Sequence, residues 1–374
     1  MTGNTGRSID GRRGAKGERG VAPERHLPAE EPGGSLGSRT VVVTGAAGFI
    51  GRHAVTRLVG EGWRVRALDI HDPPVPRVGE PDAVGPEGVE WFRADVRDDE
   101  ALRPILAGAE VVVHLASAHL QHRAPAGWYH SVNVDGARTL VRIAASLGVR
   151  RLIHTSSVGV YGHVSSPPAD EESPKHPTND YEHTKLLGEV ASLEEAERTG
   201  LEVTILRPGW VYGPGCPRTA RLLRTIRRGR FFFVGDGANL RHPIHVSDTV
   251  EAFCLAIDAP AETTGRPYLI VGPESVRVRE LVEICARVQG VAIPRVRLPR
   301  SAVAVGLGGV ELAFRALRRE PPVSRRSLAF FEHDNAFSGR AAAEGLGFEA
   351  KVGLEEGIRS TLTASDPISG GVRA

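Results

Sequence analysis

Thr40-Val41-Val42-Val43-Thr44-Gly45-Ala46-Ala47-Gly48-Phe49-Ile50-Gly51 decides how the rest of the chain is read. Val41, Val42 and Val43 make an unbroken apolar run, which suits a strand covered on both faces. Glycines spaced G-x-x-G-x-x-G then end it, and Phe49 and Ile50 open a helical pattern. A glycine-rich turn between a buried strand and a helix start lets the backbone approach a pyrophosphate, whose charge is stabilised by free N–H groups of the helix. In a chain with 44 glycines the triplet alone would mean little; its place between strand and helix gives it weight.

Outward from this turn, short β-branched runs alternate with amphipathic segments, the rhythm of βαβ units and a parallel sheet. Strands are expected at 40–44, 64–70, 89–94, 111–115, 151–156 and 203–206, with helices over 50–60, 98–106 and 132–147 between them. The expected fold is α/β, a Rossmann doubly wound parallel sheet, with a smaller mixed α/β C-terminal part that binds substrate. Beyond about Pro208 the rhythm loosens into Pro-containing turns such as 213–217 and 265–273. This reading divides the chain into a disordered tail (1–38), a cofactor domain (39–208), a mainly substrate-binding part (209–365) and a flexible tail (366–374).

Composition narrows the function. With 374 residues, 41% of them hydrophobic, the chain can bury one large core and a smaller one. A net charge of +2, with scattered basic residues, points away from nucleic acid and toward small-molecule chemistry. Cys216, Cys254 and Cys285 form no C-x-x-C pair, so neither a disulfide framework nor structural zinc is expected, and a cytoplasmic setting fits. His53, His119, His122 and His333 lack metal-ligand spacing and read as surface or packing residues; no metal is expected. No apolar run reaches the roughly 20 residues a membrane span needs, and 301–314 reads as a packed helix. Residues 1–38 almost lack large apolar side chains, and no secretory signal is read there. A homodimer is left open.

Asp69 ends the second strand 18 residues after Gly51, where its carboxylate can accept hydrogen bonds from an adenosine ribose. It would repel a 2′-phosphate, so NAD is favoured over NADP. Asp95 and Val96 close the third strand, placed to flank the adenine, and Leu115, Ala116 and Ser117 follow the fourth at the ligand-binding carboxyl edge. Tyr181 and Lys185 stand four apart, on one helix face. With 5 tyrosines and lysine only at 16, 175, 185 and 351, that spacing arises by chance in about one such chain in twenty. Ser157, at the end of a strand on the same edge, can hydrogen-bond a substrate oxygen while the phenol exchanges its proton. A neighbouring ammonium stabilises phenolate, so Lys185 is expected to depress the Tyr181 pKa.

Taken together, Thr44–Gly51, Asp69, His114–Ser117, Ser156–Gly162, Tyr181/Lys185 and Leu206–Pro214 resemble the extended short-chain dehydrogenase/reductase family, the NAD-dependent epimerase/dehydratases. The resemblance spans roughly Thr40 to Thr363. It implies that Ser157 is the catalytic hydroxyl, Tyr181 the acid/base and Lys185 the residue holding the nicotinamide ribose. It also implies that Asn133, in Asn133-Val134-Asp135-Gly136, contacts cofactor, though Ala137 stands where Thr is usual. Gly45, Gly48, Phe49, Ile50 and Gly51 join the cofactor set, and Pro208 should lie by the nicotinamide.

For the substrate, Gly235-Asp236-Gly237 through Asp248 resembles the family's G-D-G and R-x-aromatic-x-x-V-x-D segment. Arg241 is thereby implied as a nucleotide-sugar phosphate ligand, and Tyr212 joins Ser157 and Tyr181 among substrate contacts. Pro243 replaces the aromatic, however, and His242/Pro243 together with the insertion at 298–326 resemble 3β-hydroxysteroid dehydrogenase-like and dihydroflavonol reductase-like members. Val158 and Gly159 follow Ser157 where dehydratases carry an acidic pair, which disfavours dehydration. The expected activity is that of an oxidoreductase or epimerase, hydride transfer between NAD and a secondary alcohol or ketone as a net redox step or as the first half of an epimerisation, on a nucleotide sugar, with a substrate of the second group as the alternative. A non-catalytic dinucleotide sensor is the remote alternative, against which the full Ser157, Tyr181, Lys185 set argues.

Overall fold

The computed structural model describes residues 39–72, 89–119, 124–316 and 329–365, all within one compact unit. The terminal tails expected over 1–38 and 366–374, and His122, lie outside the described residues.

Seven strands make one all-parallel sheet: β1 (Thr40–Thr44), β2 (Arg64–Asp69), β3 (Val89–Arg93), β4 (Val111–His114), β5 (Arg151–Thr155), β6 (Glu202–Pro208) and β7 (Pro267–Ile270). Their order is β7-β6-β5-β4-β1-β2-β3. The chain starts in the middle, winds to one edge through β3, then returns across β4 to the other edge, and the reversal between β1 and β4 opens a crevice at the carboxyl ends of both strands.

The apolar run at Val41–Val43 now has its reason. Val41 and Val43 point to one face, into a core with Val65, Ala67, Val111, Val113 and Ile153. Val42 points to the other, into a core with Leu68, Val112, Leu152, Val203 and Ile205. The first face is covered by α1 (Phe49–Gly60), the second by α2 (Asp99–Leu106), α3 (Gly136–Ser146) and α4 (Asp180–Thr199). A strand covered on both faces has no position left for a polar residue, hence the continuous valines.

The described chain beyond Pro208 adds α5 (Pro217–Arg227), α6 (Val246–Asp258), α7 (Val278–Val288) and α8 (Arg300–Ala316). Part of it serves the sheet: α6 supplies Val250, Phe253 and Ile257 to the core shared with α1, and β7 closes one edge. The rest gathers around a smaller core with Leu223, Phe233, Leu281, Val282 and Ile358.

Three sequence readings are corrected. The stretch 265–273, read as turns, contains β7; a four-residue edge strand beginning on Pro267 carries almost no periodic signal, and proline is tolerated at a strand's first position. The helix read over 132–147 is interrupted: residues Ser131–Asp135 form a π-helical turn before α3. The stretch 301–314 is helical, but 301–310 are all exposed or half-buried, because no other described helix or strand packs along α8.

Candidate active site

The β1–α1 turn is built tightly enough to need its glycines. Gly45 has φ +69°, and a Cβ there would sit 2.6 Å from the Ala116 nitrogen. At Gly51 a Cβ would lie 2.2 Å from the Gly45 carbonyl oxygen. Gly48, by contrast, is exposed; as the N-cap of α1 it supplies no side-chain cap, and the first turn carries no acidic residue. Uncapped N–H groups at a helix start, with exposed glycine backbone before them, are the donor set a pyrophosphate requires. Phe49 and Ile50 pack partly into the core beneath.

Asp69 sits at the end of β2 with its side chain 9% exposed. Its carboxylate accepts from the Ala47 and His71 backbone N–H groups, each at 3.0 Å, so it is bonded to the glycine turn itself. A negative charge held there suits ribose hydroxyls and repels an added phosphate. The Thr44 hydroxyl accepts from the Leu115 and Ala116 N–H groups, tying β1 to the chain after β4. Val96 is buried, and the Asp95 carboxylate is paired with Arg97 at 2.7 Å, whose hydrogen bonds hold it below the usual carboxylate range. Pro208 is buried where β6 ends. The donors, the open glycine backbone and this carboxylate fit a dinucleotide.

Asn133 lies in the π-helical turn and is 2% exposed. Its side-chain oxygen accepts from the Ser117 hydroxyl (3.0 Å) and the Ala118 N–H (2.8 Å); its amide donates to Thr184 Oγ1 at 3.0 Å. Enclosed and fully bonded, it joins the loop after β4 to α4. Sequence resemblance placed it against the cofactor; the structure makes it a link between the two elements that flank the crevice.

Ser157 follows β5 in extended conformation and caps a short 3₁₀ turn, its Oγ accepting from the Gly159 N–H at 3.0 Å. Asn179 caps α4 in the same manner, which sets the helix start and puts Tyr181 and Lys185 one turn apart on the sheet-facing side. Tyr181 is half-buried, and the Ser157 side chain acts to lower its pKa. Lys185 is buried, and its Nζ donates to the Thr155 carbonyl at 2.6 Å. Burial pushes its pKa down to about 8, against the pull of Glu189.

The electrostatics differ from expectation. Burial pushes the Tyr181 phenol above its ordinary pKa, and the charge that chiefly opposes this is Arg218. Lys185 is not among the leading influences on the phenol; its Nζ is held at the β5 carbonyl. Arg218 stands on the first turn of α5, exposed, and its Nη2 lies 2.6 Å from His119 Nε2. The His119 ring in turn meets the Tyr181 ring edge-on, centroids 4.8 Å apart. Desolvation, with the Arg218 and Lys185 charges, holds His119 near pKa 4, hence neutral. Sequence reading missed both residues, although Pro217 at a helix start beyond β6 and His119 beyond β4 mark the same carboxyl edge.

Two expected substrate contacts are placed elsewhere. Tyr212 is 1% exposed, packed in the smaller core against Gly357, where a Cβ would be 2.3 Å from its hydroxyl. Arg241 is 7% exposed, lies 4.8 Å over the Phe330 ring and donates to Asn335. Both side chains are enclosed by packing and aromatic stacking.

Beneath the site, Arg207 on β6 makes a two-pronged pair with Glu189 on α4 (2.9 and 2.6 Å) and donates to the Tyr161 hydroxyl at 2.6 Å. These bonds fix β6, α4 and the turn after Ser157 to one another, so the three catalytic candidates rest on clamped elements.

Comparison with known proteins agrees with this geometry. The sequence model of the NAD dependent epimerase/dehydratase family matches residues 41–271. The 3beta-hydroxysteroid-dehydrogenase/decarboxylase isoform 1 of Arabidopsis thaliana is 29% identical, over 87% of this chain and 79% of its own length; this chain spans 64% of isoform 2. Sterol demethylase protein B of Methylococcus capsulatus is 33% identical over 70% of this chain and 77% of that protein. Among solved structures, DesIV, a dTDP-glucose 4,6-dehydratase of Streptomyces venezuelae with NAD bound, superposes with TM-score 0.68 at 26% identity, over 87% of this chain and 96% of that one.

Proposed function

Because this chain belongs to the NAD dependent epimerase/dehydratase family, we propose that it oxidises a secondary alcohol, or reduces the matching ketone, on a largely apolar substrate. The observation that carries the reaction is the placement of Ser157 at the end of β5 beside α4, which holds Tyr181 and Lys185 one helical turn apart. Bound NAD supplies the hydride acceptor for oxidation and, as NADH, the donor for reduction. The chain's own residues handle the proton and the geometry. Ser157 holds the substrate oxygen; Tyr181 takes the O–H proton as the adjacent C–H bond breaks, leaving a ketone, and returns it in the reverse direction. Lys185, anchored to Thr155, presents its remaining N–H donors to the ribose beside the reacting ring. The glycine turn and the α1 N-terminus hold the pyrophosphate, and Asp69 holds the adenosine ribose.

Two features favour an apolar substrate. Arg241, the residue that would clamp a sugar-nucleotide phosphate, is enclosed and engaged, and relatives similar over 70–87% of this chain carry sterol-directed names. A second reading, a nucleotide sugar, draws on Arg218, an exposed cation at the cleft that could meet a phosphate. Turnover followed by NADH absorbance, with 3β-hydroxysterols, secondary alkyl alcohols and UDP- or dTDP-sugars side by side, separates them. The proposal expects the apolar alcohols to turn over. If nucleotide sugars alone react and Arg218→Met raises their KM tenfold or more, the second reading replaces the first.

A further inference from the structure

Between α7 and α8 the chain reads Val291-Ala292-Ile293-Pro294-Arg295-Val296-Arg297-Leu298-Pro299-Arg300, and Ile293, Val296 and Leu298 are 47%, 58% and 36% exposed. The short strand Arg297–Leu298 pairs with Phe233–Val234, which brings exposed Phe232 alongside. α8 follows at once: residues 301–310 carry no charged side chain, and Val305 is 75% exposed. An uncharged helical stretch of this length is normally enclosed; here half of 301–310 is exposed and the rest half-buried. The 17 residues of α8 span about 25 Å, short of the roughly 30 Å hydrocarbon layer, and no helix among the described residues is long and apolar enough to cross a membrane.

Around these apolar groups stand arginines. Arg295, Arg297 and Arg300 alternate with them, and Arg227, Arg228 and Arg230 end α5 just before Phe232; all six are exposed. None of the first two or of the last three makes an ion pair among the described residues. Asp236, whose carboxylate faces Arg300, is the acidic group recorded against the patch.

We propose that this strap and α8 form a peripheral docking surface for an anionic phospholipid bilayer. Guanidinium groups meet lipid phosphates while the side chains between them enter the headgroup boundary. A second copy of the chain is the poorer occupant, since pairing like faces would set arginine clusters against one another. α5 runs from Arg218 at the cleft to Arg227 at the patch, about 14 Å. A substrate with an apolar tail would thus reach the cleft from the docked side; that clause rests on the proposed oxidoreductase reading, whereas the docking does not.

Vesicle co-sedimentation of the full chain, without NAD or substrate, tests it. Vesicles of phosphatidylcholine with phosphatidylglycerol should carry the protein down, vesicles of phosphatidylcholine alone should do so far less, and added salt should release it. Replacing Arg295, Arg297 and Arg300 by Gln should lower partitioning roughly fivefold per residue. Val305→Glu should weaken it at unchanged melting temperature and NAD affinity, and Leu298→Gln serves if that variant melts early. Equal binding to both vesicle types, no binding to either, or full binding by the folded glutamate variant would overturn the proposal. So would a concentration-dependent dimer that Val305→Glu dissociates in the absence of vesicle binding.

Discussion

A buried phenol is a poor base, and what corrects this in the cleft is a cation from another element. Arg218 is the leading charge that opposes the desolvation of Tyr181, while the Lys185 ammonium is held at the Thr155 carbonyl. Alcohol oxidation needs phenolate, so its rate rises with pH through the Tyr181 pKa. Removing a cation that stabilises phenolate moves that limb upward in pH. Arg218→Met should therefore shift the rising limb to higher pH and leave NAD affinity intact, whereas Lys185→Met should chiefly weaken NAD binding and turnover with a smaller shift. pH profiles of both variants decide this, and a limb that moves with Lys185→Met but not with Arg218→Met would contradict it. At this scale the sequence was legible where partners are close in the chain. Tyr181 and Lys185 are one helical turn apart, but Arg218 and His119 are 99 residues apart and meet only because α5 and the β4 loop end at one edge. For Tyr212 and Arg241 the residue type suits a ligand, and their enclosure becomes visible only in the packing.

Elements hold these residues through buried polar contacts. Glu189→Gln would strand the Arg207 charge between β6 and α4 and should cost roughly 3–5 kcal/mol, as breaking a buried pair does. Replacing both partners by leucine should recover much of that loss in urea unfolding; a double variant no more stable than the single one would refute the clamp. β4 and β5 carry a second device, His114 and His154, edge-to-face with centroids 5.2 Å apart and bonded to Thr44 and Ser192. Burial pushes His114 down to about 3 and His154 well below the ordinary range, with Lys185 adding to both. Their folded pKa values lie below the unfolded value near 6.5, so the unfolded chain takes up the protons first as pH falls. Stability contributed by neutral burial is complete above about pH 6.5 and is lost below it, by roughly 2–3 kcal/mol for His114 at pH 4.5, with His154 adding a loss of the same sign. Urea midpoints measured between pH 7 and pH 4.5 should fall accordingly, and His154→Phe should flatten the decline; an unchanged slope would show that the pair titrates normally. The parallel strands were legible because two-sided burial leaves continuous apolar runs, as at Val41–Val43. β7 was not, because an edge strand of four residues is specified by its neighbour β6 rather than by its own pattern.

For the whole molecule, a sheet whose strand order reverses beside β1 leaves one crevice; the glycine turn, Asp69 and Ser157 come from the carboxyl ends of β1, β2 and β5, and Tyr181 and Lys185 from α4. The chain past Pro208 braces the sheet through α6 and β7, so it forms one unit with the strands before it. The fold and the cofactor half of the site could be read from the sequence, since a dinucleotide is bound largely by backbone at a fixed place in the topology. The substrate half could not, because its surface is assembled from loops and helix ends distant in the chain. The central claim is that NAD and Tyr181 together carry out redox chemistry on a secondary alcohol. It is tested most directly by NADH formation from an alcohol that the wild-type chain oxidises, measured for Tyr181→Phe alongside calorimetric NAD binding. The account predicts an unchanged NAD affinity with turnover lowered by about 10² to 10⁴, the range for a lost general acid/base. Near wild-type NADH formation by the phenylalanine variant would contradict it.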